Sequence, residues 1–309
     1  MGASVDLGSN SVHLLVAQVT GHRLVSLVDE SVFLGLGTAV VRRGHLGRVA
    51  RAELVATLVC YADVARGLGA SDITFLGTEP IRRAADTPSL VHEVVLASGV
   101  PLHVLSHEEE AFLTIIGVTE GMPVLHETLV VDIGGGSSEF AVVDARRAPR
   151  AVGMQLGSSR LTDQLVATDP PTPAEIKALW HAALQGVLGA PEARPAEIIA
   201  VGGTASNLLK VIAAAGLDRM LTRDRIAEAV ATLVTEPAAA AALRHRMKPI
   251  RARLLPAGGA ILDAILARYG ADRIRVSDAG LREGAILAVA HSGRAWRDGL
   301  TVLANGWRT

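Results

Sequence analysis

Two stretches of the sequence repeat one arrangement of an aspartate and a turn of small residues. Residues 5–17 read VDLGSNSVHLLVA, and residues 131–143 read VDIGGGSSEFAVV. In each, an apolar run ends on an aspartate (Asp6, Asp132), a Gly/Ser/Asn turn follows, and a second apolar run resumes. Gly-rich turns after strands can present backbone N–H groups to phosphate oxygens. Gly8, Gly134, Gly135 and Gly136 allow close approach, and Ser9, Asn10, Ser11, Ser137 and Ser138 offer side-chain donors. A third small-residue loop, Gly202–Gly203–Thr204, follows another apolar run. Glu139 lies on the second strand of the second hairpin. Carboxylates beside phosphate repel it unless a cation stands between them. Magnesium suits that place, since it takes one or two carboxylates and fills its sphere with substrate oxygens and water. Asp6, Asp132 and Glu139 are therefore the candidate metal ligands. Either stretch alone would read equally well as an ordinary hairpin with a turn-capping aspartate. Their recurrence with the aspartate at the same offset favours a polyanion site.

Other residues admit two readings. Ser106–His107–Glu108–Glu109–Glu110 opens a helix, with Ser106 as N-cap and Glu109 as its capping-box partner. The helix dipole favours the acids there. Glu110 falls one position past the box and is open to a functional role. Arg82 and Arg83 follow Gly77–Thr78 and are either solvated charges or phosphate ligands. The run HEEEA stops short of H-E-x-x-H because Ala111 occupies the second histidine position, so a zinc protease is excluded. No G-x-x-x-x-G-K-[ST] is present, which excludes a P-loop. A single cysteine, Cys60, excludes an internal disulfide and reads as a small buried apolar residue.

Positioning these residues requires strands that alternate with helices. The pattern predicts a helix over 50–68, strands over 73–76 and 102–105, and a helix from 107. It continues with a helix from Pro173 and a strand over 197–201. A helix over 249–266, interrupted near 256–259, and a strand over 273–276 follow, then the last long helix. Strands alternating with helices define an α/β architecture. The 309 residues are long for one core and suggest two. Half the residues are hydrophobic and the formal net charge is −1. Aromatics are 3%, too few for base-stacking platforms, so no nucleic-acid partner is expected. No apolar run approaches membrane-spanning length, no cleavage-type leader is visible, and a cytoplasmic protein is expected.

The chain resembles the Ppx/GppA phosphatases (exopolyphosphatases and guanosine pentaphosphate phosphohydrolases) over essentially its whole length. The matching segments are VDLGSNS (5–11), GTEPIRRA (77–84), LSHEEEAFL (105–113), VVDIGGGSSEF (130–140), MQLGSSRLT (154–162), DPPT (169–172), GGTA (202–205) and SDAGLREGAIL (277–287). The resemblance implies a duplicated actin-like fold, ribonuclease H-like and of the actin/Hsp70/sugar-kinase superfamily, with a cleft between two domains. These would span 1–117 and 118–291, with a terminal helix about 292–309 packing back on the first. It further implies that Glu110 is the catalytic base, that Asp132 and Glu139 hold magnesium or position water, and that Arg82 binds phosphate. The loops at 8–11, 134–138 and 202–204 would hold the phosphate chain. The implied substrate is inorganic polyphosphate or guanosine pentaphosphate (pppGpp), and a homodimer is admitted. A kinase or ATPase of the superfamily and a non-catalytic sensor are the rival readings. Two departures stand out. Residues 31–37 read SVFLGLG where many members carry an arginine before Leu-Gly, and the sequence corresponds to the short form, so a short phosphate track is expected.

Overall fold

The computed structural model describes residues 1–212 and 218–307. The chain divides into two compact units. One comprises Met1–Val124, Arg146–Pro149 and the chain from Ala279 onward; the other comprises Leu125–Ala145 and Arg150–Asp278. The helix Leu281–Ser292 thus belongs with the first hairpin, whereas the boundary expected from sequence put residues up to 291 in the second domain. Among the described residues, no single helix is long and apolar enough to cross a membrane.

The first unit is built on strands β1 (Gly2–Leu7), β2 (Ser11–Thr20), β3 (Arg23–Phe33), β4 (Asp72–Gly77) and β5 (Leu102–Val104), in the order β3-β2-β1-β4-β5. The hairpin strands β1, β2 and β3 pair antiparallel, and β1–β4 and β4–β5 pair parallel. Alternation sorts the side chains, since successive residues of a strand face opposite ways. Val5, Leu7, Val12 and Leu14 pack with Leu54 and Leu58 of helix Arg48–Gly67 and with Leu90 and Val94 of helix Thr87–Ser98. Leu15 and Ala17 pack on the opposite face against Ile286. β4 is buried from Thr74 to Gly77, as a central strand covered on both faces must be.

The second sheet consists of β6 (Thr128–Ile133), β7 (Ser138–Asp144), β8 (Arg147–Met154), β9 (Glu197–Val201), β10 (Met220–Thr222) and β11 (Arg273–Val276), in the order β10-β11-β9-β6-β7-β8. β6–β7 is antiparallel, and β6–β9 and β9–β11 are parallel. With β10 set aside, the order β8-β7-β6-β9-β11 repeats β3-β2-β1-β4-β5. This is the duplicated actin-like α/β architecture, and Asp6 and Asp132 occupy the same strand position in the two copies.

Four local expectations are corrected. The helix Pro249–Tyr269 runs unbroken through Pro256. Its residues from Leu254 to Leu266 are all buried, and that burial outweighs the backbone donor lost at the proline. Gly202–Gly203–Thr204 is the first turn of helix Gly202–Val211 rather than a loop; glycines depress the local helix signal. In place of a long terminal helix there is a 3₁₀ turn, Gly293–Ala295, and a short helix, Leu300–Ala304, separated by residues that include Gly299. Arg308 and Thr309, which end the expected helix, lie outside the described residues. Cys60 is exposed on its helix: the buried stripe of that helix passes through Leu54, Leu58, Tyr61, Ala62 and Ala65.

Candidate active site

Each hairpin turn is closed by the same hydrogen bond. Gly8 N donates to Ser11 O (3.1 Å) and Gly134 N donates to Ser137 O (3.0 Å). The segment after the third strand of each hairpin then ties the turn from behind. Ser9 O accepts from Gly37 N (2.8 Å), and Asn10 O accepts from Leu34 N and Gly35 N (both 3.0 Å). In the second turn Gly134 O accepts from Ser158 N (3.0 Å) and Gly135 O from Arg160 N (3.0 Å); Gly136 O accepts from Arg160 Nε (2.9 Å). A trans peptide holds its C=O and the following N–H in opposite directions. Fixing these carbonyls behind the turns therefore aims the N–H groups of Asn10, Gly135 and Gly136 the other way, as an anion site requires.

The turn hydroxyls serve the frame. Ser9 Oγ donates to Glu79 Oε2 (3.2 Å), Ser137 Oγ to Glu139 Oε1 (2.8 Å), and Ser138 Oγ to the Leu156 carbonyl (2.5 Å). Thr204 Oγ1 donates to the Ile133 carbonyl (2.9 Å), just as Thr78 Oγ1 donates to the Leu7 carbonyl (3.0 Å). This matched pair of threonines is a further mark of the duplication. In this structure the hydroxyl protons of Ser9, Ser137, Ser138 and Thr204 are thus directed to protein acceptors.

In the first unit, Ser106 and Glu109 form the expected capping box: Glu109 N donates to Ser106 Oγ (3.1 Å) and Ser106 N to Glu109 Oε2 (2.8 Å). Arg297 also grips both Glu109 oxygens, at 2.7 and 2.8 Å. Glu110 is the one buried acid of this helix start, 7% exposed, and it forms an ion pair with Arg82. Arg82 is aimed by the Leu105 carbonyl (2.5 Å) and by His107 Nδ1, to which its Nη2 donates at 3.1 Å. Burial, and next to it the Arg82 guanidinium, push His107 below its ordinary value, which keeps the ring neutral and able to accept. The helix His107–Thr119 is itself pinned. It crosses helix Leu281–Ser292 so closely that a Cβ on Gly117 would lie 1.9 Å from the Gly280 carbonyl oxygen, and one on Gly284 1.8 Å from that of Leu113. Buried Glu79, which sequence reasoning passed over, joins Ser9 to Arg83, whose Nη1 donates to Glu79 Oε1 at 2.7 Å.

In the second unit, the hairpin register sets Asp132 directly opposite Glu139. Glu139 is buried. Asp132 keeps a narrow accessible edge, yet desolvation pushes its carboxyl up to about 6. The backbone of Gly202 lies against it. With φ of 86°, Gly202 occupies a conformation that favours glycine, and a Cβ there would sit 2.7 Å from Asp132 Oδ1. Beside it stands Arg251, a cation that sequence reasoning missed; its Nη1 is 3.0 Å from where a Cβ on Gly203 would be. Among the described residues no three His, Cys, Asp or Glu groups converge as a metal cage. The donor set is thus two facing carboxylates, one of them costly to ionise in dry surroundings. Magnesium fits such a set, because it is bound through one or two carboxylates with substrate oxygens and water. Asp6 holds the matching strand position in the first unit, opposite His13.

The Ppx/GppA phosphatase family model matches residues 15–293. The chain is 26% identical over 299 residues to exopolyphosphatase 1 of Mycobacterium tuberculosis, covering 92% of this chain and 86% of that one. Among solved structures it is similar to the Aquifex aeolicus member of the Ppx/GppA family, with a TM-score of 0.80, 26% identity, and coverage of 94% and 98%. It shares its fold with an exopolyphosphatase from Cytophaga hutchinsonii, with a TM-score of 0.82, 22% identity, and coverage of 94% and 97%. The chain belongs to the Ppx/GppA phosphatase family.

Proposed function

We propose that this protein is an exopolyphosphatase: it hydrolyses the terminal phosphoanhydride of inorganic polyphosphate and releases orthophosphate. The observation that carries the reading is Glu110, a buried carboxylate paired with an arginine that a carbonyl and a histidine aim. An acid held in this way can take a proton from water. In the proposed reaction a water oxygen attacks the terminal phosphorus, and Glu110 accepts its proton. The bridging P–O bond breaks, and the shortened chain keeps the electron pair on its new terminal oxygen. The groups proposed to bind phosphoryl oxygens and stabilise charge that grows during in-line displacement are, in the first unit, the Asn10 N–H and Arg82 and, in the second, the Gly135 and Gly136 N–H groups and Arg251. Asp132 and Glu139 would hold a magnesium ion, whose chemistry is neutralisation of the phosphoryl and leaving oxygens.

The test is orthophosphate release from polyphosphate, guanosine pentaphosphate and ATP, side by side, with magnesium and in excess EDTA. Release from polyphosphate at the highest kcat/KM, lost in EDTA, is expected. A higher kcat/KM on guanosine pentaphosphate would transfer the assignment to that substrate. ATP-dependent transfer to an acceptor would replace hydrolysis with kinase chemistry.

A further inference from the structure

Residues 244–253 of the second unit read RHRMKPIRAR, a run of five cations without one acid. Arg244 and Arg253 are held by protein acceptors. Arg244 donates to both oxygens of Glu236, at 2.9 and 3.0 Å, and Arg253 donates to the carbonyls of Thr168 and Val166, both at 3.2 Å. Arg251 sits against Gly203 at the Asp132 end of the site. The remaining two, Arg246 and Lys248, are exposed, and neither makes an ion pair or a side-chain hydrogen bond among the described residues.

Their placement is ordered. Lys248 is the N-cap of helix Pro249–Tyr269, and its carbonyl accepts from Arg251 N (2.8 Å). One turn therefore separates Lys248 from Arg251. Arg246 takes a left-handed conformation, φ 52°, and Met247 N returns to the Ala242 carbonyl (3.0 Å), which holds Arg246 beside the same helix start. Three cations thus follow one another at this helix start: Arg251 in its first turn against Gly203, Lys248 at its N-cap, and Arg246 two residues before. Like charges so close together repel one another, and the fold leaves the outer two without counter-charge.

We propose that Arg246 and Lys248, with Arg251 at their inner end, form a track for the distal phosphates of a polyphosphate chain. The inference rests on the Gly202–Gly203 backbone being part of the phosphate site. It replaces the short track expected from sequence. A linear polyanion gripped at added sites is released more slowly, because each added site acts at high effective concentration. A substrate of few phosphates ends before reaching the outer cations and gains nothing from them.

The test compares the full chain with the double variant Arg246→Ser/Lys248→Ser, two exposed positions where superimposable thermal melts are expected. Binding of long-chain inorganic polyphosphate and of tripolyphosphate is measured by calorimetry across a salt series, with orthophosphate release followed in parallel. Long-chain affinity should fall roughly ten-fold at low salt, from two exposed ion pairs each worth a few-fold. The plot of log affinity against log salt should become shallower by about 1.4, near 0.7 for each cation withdrawn from a single-stranded polyanion. Tripolyphosphate affinity should not change. Equal losses for both lengths, or none for the long chain, overturn the track. So does an unrelated single-stranded oligonucleotide that binds as tightly as polyphosphate. Failure of the hydrolase reading looks different: the length- and charge-dependent binding persists, but no substrate is cleaved.

Discussion

Asp132→Asn separates the role of this carboxyl in stability from its role in turnover. Desolvation raises the Asp132 carboxyl from 3.8 to about 6. A carboxyl raised in this way binds more protons folded than unfolded between those two values. Its favourable contribution is complete below about 3.8 and is lost as pH climbs through about 6. At about 1.4 kcal/mol per pH unit, the distance between the two values is worth about 3 kcal/mol. The accessible edge of Asp132 makes that an upper bound, and roughly 1–3 kcal/mol is the working range. Asparagine keeps the shape beside Gly202 and cannot ionise, so it removes this cost.

The expected outcome is a variant that melts several degrees above wild type at pH 7.5, at roughly 2–4 °C per kcal/mol for a unit of this size. The gain should shrink toward zero near pH 4. Thermal melts at a series of pH values, without divalent cation, measure it. Magnesium should raise the melting temperature of wild type, since a ligand that binds only the folded state stabilises it by mass action. It should raise that of the variant much less. A variant no more stable than wild type at pH 7.5, or a gain that does not grow with pH, would refute the claim that Asp132 is held ionised at a cost. Equal magnesium stabilisation of both proteins would remove Asp132 from the metal site.

Glu110→Gln should lower kcat by about 10²–10⁴-fold and leave polyphosphate affinity nearly unchanged, because glutamine still accepts from Arg82 but takes no proton; wild-type kcat in single-turnover assays would place the base elsewhere. Glu109→Gln should act on stability instead, costing about 1–2 kcal/mol in urea melts through the weakened cap and the Arg297 pair, with kcat/KM largely kept. Arg82→Ala should raise KM and also reduce kcat, since it frees Glu110 from its partner, and Arg82→Lys should recover part of the charge but not the fork; unchanged kinetics for both would make Arg82 an ordinary solvated cation. Arg251→Ala should raise KM for polyphosphate with kcat less affected, and an unchanged KM would remove Arg251 from the phosphate site.

The parts of the site carried by short-range chemistry were legible in the sequence. An aspartate at a strand end, a turn of small residues and a returning strand make one local signal, and its repetition revealed the duplication. The capping box at Ser106 was legible for the same reason; a role for Glu110 was implied only by the family resemblance. Contacts between distant segments were not legible. Turn hydroxyls look like ligands in sequence, but Ser138 and Thr204 find their carbonyl partners, Leu156 and Ile133, on distant segments only once the chain folds. Arg251 opens a long helix that reads as apolar core from Leu254 onward, and its place against Gly203 is a contact with a distant segment. The acid-free run 244–253 was the available signal. A repeated Leu-Gly pair, Leu34–Gly35 and Leu156–Gly157, likewise stands where the chain returns to clamp each turn, and a search for repeats longer than the hairpin would have found it.

The duplication also explains how the chemistry is divided. Both hairpins keep the aspartate, the turn hydrogen bond and the threonine that braces the residue after the aspartate. These features serve the backbone geometry of an anion-binding turn, and changing either copy would misalign its N–H groups. The position opposite the aspartate is free of that constraint, and there the copies differ: His13 in the first, Glu139 in the second. A second carboxylate creates a bidentate place for a hard cation, which prefers oxygen donors. A histidine does not, so the two-carboxylate site can form only on the second hairpin. In the proposed reaction the reverse holds for the proton acceptor. The first unit carries a buried glutamate and an aimed arginine on the helices that follow its parallel strands. At the end of β9 the second unit carries Gly202, whose backbone lies against Asp132, and Gly203, whose backbone lies against Arg251. Exchanging the two hairpin residues, His13→Glu together with Glu139→His, tests this division. It should abolish magnesium stabilisation of the second hairpin without transferring it intact to the first, because no left-handed glycine follows β4 to lie against Asp6 as Gly202 lies against Asp132.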